Sequence, residues 1–223
     1  MKQLITISLI LAAIFASTFL ILTSMGLLTV EGIEAGLKAA SEANAIYVII
    51  GVVALLFADI FIAVPTLTIA ILSGYFLGFG LGALSANLGM VLAGVTGYGL
   101  CRIYGPGLLK KIYSDPQKRE EMQTIFNQHG STVLLICRSM PILPEVSCCM
   151  AGANKMRFVR FLTCYLISTV PYATIAAFAG SRSSLDNPQP AIYAAIGLSL
   201  FFWMAWVIFI RKTRMEAQQL QSE

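Results

Sequence analysis

Charge is what this chain has least of. Asp, Glu, Lys and Arg together make up 12% of its 223 residues, against roughly 25% in an average soluble domain. Apolar residues make up 57%, and the mean hydropathy is +0.79. So much apolar surface cannot be hidden inside one soluble core, so the composition points to an integral membrane protein. Histidine is nearly absent: His129 stands alone beside Gly130 and reads as solvated. The five cysteines form no C-x-x-C pair, which argues against zinc and dithiol redox motifs. They read as small hydrophobes. No G-x-S-x-G, P-loop or H-E-x-x-H sequence occurs. The expectation is therefore a protein that is not an enzyme and has no cofactor and no metal. A net charge of +4 is small. It is read as membrane orientation rather than nucleic-acid binding.

What the chain has in quantity is long uncharged runs. Gln3 to Val30 carries no charge over 28 residues. That exceeds a signal-peptide core of about 7–15 residues and suits a spanning helix of about 20; cleavage near Ala16 is the alternative. Residues 1–30 are thus expected to form a first transmembrane helix. A polar acidic connector, Glu31 to Asn44, follows. From Ala43 to Cys101 the only charge is Asp59. The block 102–131 is polar, with Leu108, Leu109, Ile112 and Tyr113 on one helical face and Met122, Ile125 and Phe126 on another. It is expected to form two short amphipathic helices at the membrane surface. A basic linker with Lys155, Arg157 and Arg160 leads into a span from about 158 to 180. Residues 189–210 form a last span, and 211–223 a polar tail that frays.

Charge then constrains the topology. With the N-terminus in the cytoplasm and residues 45–73 and 132–152 each dipping into the membrane and returning, 12 of the 15 Lys and Arg fall inside. Only Lys38 and Arg182 fall outside, and Arg138 lies within the second dip. This is a strong positive-inside bias, and it weakens if either dip crosses. The expected fold is an all-α polytopic membrane protein. It has two re-entrant helical hairpins, about four transmembrane helices and a cytoplasmic amphipathic segment, with both termini cytoplasmic.

The two dips resemble each other. PTLTIAILSGYFLGFG starts at Pro65 and PEVSCCMAGANKMRF at Pro144. In each, a proline precedes a small residue and glycine, Ser73-Gly74 and Ala151-Gly152, and a long apolar span follows. Entering from opposite sides, they form an inverted repeat. Irregular backbone in hydrocarbon must be buried in protein or line a wet cavity. Pro65, Pro141, Pro144 and Pro171 are read as helix breakers. Gly74, Gly78, Gly82, Gly152 and Gly180 are read as close-packing positions; Gly74/Gly78 and Gly78/Gly82 have G-x-x-x-G spacing.

Three ionisable residues lie at membrane depth: Asp59, Arg138 and Glu145. A charge at the centre of a span costs about 2.5–3.5 kcal/mol on insertion scales, so such groups face a cavity or one another. The expectation is that all three meet in one polar cavity between the dips. Arginine stays charged and suits a phosphate or carboxylate. A desolvated carboxylate holds its proton more tightly than one in water, as a proton shuttle requires. The competing reading is that Arg138 and Glu145 form only a structural ion pair. A soft-metal or small-ion carrier built on Cys137, Cys148 and Cys149 is a further alternative, and a scaffold that transports nothing is another.

The stretch Arg138-x-x-Pro141-x-x-Pro144, followed by Ala151-Gly152, Phe161, Pro171 and Gly180, resembles the DedA or VTT-domain family of membrane proteins (the SNARE-associated Golgi protein group). Pro65, Gly74, Phe79-Gly80 and Gly82 look like that family's glycine-rich passage. The resemblance covers about 45–182, is strongest in 137–180, and is closer to the Tvp-like branch. It implies facing re-entrant hairpins and movement of lipids or ions. Phospholipid scrambling, flipping of polyprenyl-phosphate carriers and proton-coupled membrane homeostasis are the roles linked to members. The family's first-hairpin acid would fall at or near Asp59, and its second-hairpin arginine matches Arg138. DedA-branch members carry another arginine about six residues later; here Pro144 and Glu145 stand there, which leaves a two-arginine phosphate clamp in doubt. The expected function is transport of lipids or lipid-linked phosphates across a bacterial inner membrane, with proton coupling. Expected partners are membrane lipids and, as an open option, further copies of the chain; nucleic acid is not expected.

Overall fold

The computed structural model describes residues 30–62, 64–112, 129–139, 143–183 and 189–219, and the N-terminal span expected over 1–30 lies almost wholly outside them. Every regular element among these residues is helical. Helix α1 is Val30–Ala43. Its residues were expected to be a polar connector, but Ile33 and Leu37 stand one turn apart on one face and are buried against α2. Two apolar anchors at that spacing suffice to dock an otherwise polar helix. Helix α2, Ala45–Ala58, starts at Asn44, whose side chain accepts the Ile46 N–H at 3.0 Å, as an N-cap should. Val48, Val52 and Leu56 bury one face, while Ile46, Tyr47 and Ile50 are left exposed on the other.

The chain breaks at Asp59 and resumes after Pro65 with α3, Thr66–Ile112. Gly78 divides α3, with φ 73° and ψ 175°. That conformation is essentially open to glycine only, and nothing lies within 4 Å of a Cβ built there. Gly78 is thus a turn and not the close-packing position expected. The two arms of α3 fold back on each other. Ser73 donates its hydroxyl to the Gly82 carbonyl at 3.0 Å, and a Cβ on Gly82 would stand 2.6 Å from the Ser73 carbonyl oxygen. The second arm runs on to Ile112, beyond the polar-block boundary expected at Arg102. Of the two surface helices expected within 102–131, the first is thus taken up through Ile112 as a continuation of α3; the second, with Met122, Ile125 and Phe126, lies outside the described residues, as does Pro141.

Helical residues 129–136 end in a 3-10 turn, Cys137–Ser139. Helix α4, Leu143–Ala153, follows. Pro144 lies in its first turn, where proline's missing N–H costs nothing, so it helps to start a helix. A tight turn at Lys155 (φ 55°) closes α4, with the Met156 N–H donating to the Ala151 carbonyl at 3.0 Å. Helix α5, Phe158–Ser181, continues through Pro171. That corrects the reading of Pro171 as a breaker: the proline is on the exposed side, and the helix on either side is held by packing against α3. Helix α6, Gln189–Gln219, contains the expected last span and carries the helix into a tail that was expected to fray.

Glycines set how closely these elements cross. A Cβ on Gly74 would collide with the backbone of Ala177, and one on Gly180 with the backbone of Ile71. One on Gly152 would collide with the backbone of Tyr98. The first arm of α3 therefore lies against the end of α5, and α4 lies against the outer half of α3's second arm. Each short helix packs on the long helix of the other half. Two apolar clusters result, one around Val52, Leu56, Met90 and Ala173, the other around Tyr98, Val146, Phe161 and Tyr165.

The outer surface is apolar. Val159, Ile103, Leu84, Ile208 and Phe201 are each more than 60% exposed. Soluble monomers do not carry so much exposed apolar surface. Helix α5 and, within the apolar stretch 66–105, the arm of α3 beyond Gly78 are long and apolar enough to cross a membrane.

Candidate functional site

Both breaks in the helical chain place a charged residue in the interior. Asp59 closes α2 and is 7% exposed. Its Oδ1 accepts the Val64 N–H at 2.9 Å, so the carboxylate bridges the break and supplies a partner for a backbone donor that the break leaves free. Arg138 sits in the 3-10 turn and is 9% exposed. Glu145, in the first turn of α4, is half-buried.

The three line one small cavity together with Pro144, Cys148 and Tyr165, with about 310 Å³ of space including its open mouth. It lies between the two apolar clusters, with Leu56 and Met90 on one wall and Cys148 and Tyr165 on the other. The Asp59 and Glu145 side chains come close enough to interact directly. These are the residues singled out from the sequence, and the fold brings all three together.

Arg138 is held by neutral groups. Its Nη2 donates to the Tyr165 hydroxyl and to Thr169 Oγ1, each at 3.1 Å. Its guanidinium carbon lies 5.6 Å from the Tyr165 ring centroid and 5.3 Å from that of Tyr172, within cation–π range. Its Nε is buried without a hydrogen-bond partner. Among the described residues no ion pair joins Arg138 to Asp59 or Glu145. Among the described residues the direct ion pair weighed from the sequence is thus not seen; Asp59 and Glu145 act on Arg138 across the cavity, and its Nε is left as an unused donor.

Tyr165, Thr169 and Tyr172 were missed in the sequence. They recur at i, i+4 and i+7 along α5, a polar-tipped stripe on an otherwise apolar span, and that periodicity was the available signal. Tyr165 is itself pinned: its hydroxyl donates to the Met90 carbonyl at 2.9 Å, and its ring occupies the space a side chain at Gly94 would need. Gly94 and Met90 on α3 thus set where Tyr165, and through it Arg138, can stand.

The thiols divide. Cys148 lines the cavity and Cys137 is buried beside it, with Sγ donating to the Leu134 carbonyl at 3.1 Å. Cys149 instead neighbours Cys101 on α3. Among the described residues no group of three or more His, Cys, Asp or Glu side chains could hold a metal ion.

No curated protein and no solved structure matches the chain. A family model described as the VTT domain matches residues 64–182. That segment holds the second arm of α3, Arg138, Glu145 and the Tyr165 stripe, and it is more than half of the chain. The chain is a member of the VTT-domain family.

Proposed function

We propose that the chain is a membrane transporter of the VTT type, moving lipids or lipid-linked phosphates across the bilayer with proton coupling. The observation that carries this reading is the convergence of Asp59, Arg138 and Glu145 on one interior cavity, with Arg138 making no ion pair among the described residues. A buried guanidinium with an unused donor suits a phosphate passing through. Two adjacent carboxyl groups suit a proton that is taken up and released.

The fold supports an alternating path. Helix α2 has 14 residues, about 21 Å at 1.5 Å per residue, short of the roughly 30 Å hydrocarbon core. The first arm of α3 and helix α4 are shorter still. We read each break as the tip of a re-entrant hairpin, the hairpins being inverted copies that meet at the cavity. Reciprocal packing of each short helix on the other half's long helix supports that symmetry. The orientation proposed has both termini in the cytoplasm of a bacterial inner membrane, with Lys155 to Arg160 inside and Arg182 outside.

The test is transport in liposomes holding the full-length protein and a labelled phospholipid, with and without a pH gradient. Movement that depends on the gradient and is lost in Arg138→Gln supports the reading. Lipid movement equal to that of empty liposomes, from protein that is folded and inserted, would leave a scaffold as the better account. Asp59→Asn and Glu145→Gln are expected to retain some movement while losing its response to the gradient. A full gradient response in both variants would remove the proton-coupling claim.

A further inference from the structure

Away from the cavity, four basic residues gather at one rim. Arg102 lies near the outer end of α3's second arm, and Lys155, Arg157 and Arg160 lie on the turn and first residues of α5; all four are exposed. They are held together. One Arg102 guanidinium nitrogen donates to the Met156 carbonyl at 2.8 Å and also to the Tyr98 hydroxyl, which itself donates to the same carbonyl. Arg160 Nε donates to Ser131 Oγ at 2.8 Å. Among the described residues none of the four makes an ion pair, and the partners that hold Arg102 and Arg160 are neutral.

The surface beside it is oily. Ile103, Tyr104 and Val159 are exposed by 71%, 70% and 74%, and Phe158 by 44%. The Tyr98 ring joins the two characters, lying 5.5 Å under the Arg102 guanidinium and 5.6 Å from the Phe158 ring. Cations fixed by neutral acceptors, bordered by tyrosine and phenylalanine and then by aliphatic surface, match an amphiphile with an anionic head and acyl tails. A soluble anion would make no use of the apolar border. We infer that this rim binds the headgroup of an anionic phospholipid, with Arg102, Lys155, Arg157 and Arg160 on its phosphate and the Ile103, Tyr104, Phe158 and Val159 side chains along its tails. This site is separate from the cavity, and its occupancy does not require that the chain transport anything.

The test is equilibrium displacement of fluorescent phosphatidylglycerol from the full-length protein in neutral detergent. Competitors are unlabelled phosphatidylglycerol, phosphatidylcholine and inorganic phosphate. Phosphatidylglycerol is expected to compete at least about 10-fold better than phosphatidylcholine, and millimolar phosphate not to compete. Arg157→Gln/Arg160→Gln, which removes two exposed charges without touching Arg102's knot, is expected to weaken binding about 25-fold, roughly fivefold per charge. Arg182→Gln, which removes an exposed cation stacked on Phe178 at the other end of α5, is expected to leave affinity unchanged. Equal competition by phosphatidylcholine, an unaffected double variant, or an equal loss in Arg182→Gln overturns the site. Displacement by phosphate as effective as by lipid overturns its assignment to a lipid.

Discussion

Arg138 owes its position to two hydroxyls and two rings, and each can be removed without removing the charge. Tyr165→Phe deletes the acceptor for Arg138 and the donor to Met90 while keeping the ring. Thr169→Val deletes the second acceptor at nearly constant volume. A hydrogen bond to a charged group contributes about 1.5–3 kcal/mol, so each variant is predicted to slow transport by at least about tenfold. Protein level in the membrane should be near wild type, because the ring packing remains. Parallel measurement of uptake and membrane-inserted protein checks this; uptake that falls only in step with protein level would reduce the two residues to a structural role. Arg138→Lys is predicted to be a poor substitute, since an ammonium cannot reproduce the planar fork. Uptake at the wild-type rate by this variant would count against phosphate recognition. The contributions of Asp59, Arg138 and Glu145 could be suspected from sequence because charge is conspicuous in an apolar run. The tyrosines could not be singled out in the same way, because membrane proteins carry many tyrosines for other reasons.

The helices meet through glycine, and the glycines do different jobs. Gly74 and Gly180 touch backbone on the opposing helix, whereas Gly80 has nothing within 4 Å of a built Cβ. Gly180→Ala and Gly74→Ala are predicted to lower the yield of folded protein several-fold, since backbone cannot move aside as a flexible side chain does. Gly80→Ala is predicted to match wild type. Size-exclusion profiles of detergent-extracted protein measure both; equal yields for all three variants would mean the close crossings are not needed. Gly78→Ala is predicted to cost about 1–3 kcal/mol through backbone strain alone, read as a lower unfolding temperature with no change in the neighbouring packing. From sequence, Gly74, Gly78 and Gly180 read alike as close-packing positions. Only φ at Gly78 and the neighbours of Gly74 separate a turn from a contact.

Over the whole molecule, charge distribution and helix length make a joint claim about sidedness. Helix α5 has 24 residues, about 36 Å at 1.5 Å per residue, enough to carry Arg157 and Arg182 to opposite surfaces of a roughly 30 Å core. Single cysteines at Lys155 and Arg182, in a background with the native five cysteines replaced, are predicted to react with a membrane-impermeant maleimide from opposite sides. Labelling of both from one side would remove the proposed topology and the paired-dip reading that depends on it. The surface chemistry agrees with a bilayer, since the exposed face is apolar from Tyr47 on α2 to Ile208 on α6.

Composition and periodicity were enough to determine the all-helical class and to single out the three charges that interrupt the apolar runs. Each of those follows from local cost: an unpaired charge, a proline or a polar run is expensive in hydrocarbon wherever it occurs. Local cost could not show that residues 31–43 are a docked helix, because the partners of Ile33 and Leu37 lie on α2. Nor could it show that α5 runs unbroken through Pro171. Tertiary structure alone decided what Arg138 touches. Its partners, Tyr165 and Thr169, lie 27 and 31 residues away, and Tyr165 is placed by Met90 and Gly94 on another helix. Such contacts depend on how closely two backbones approach, which is set by the glycines at their crossings.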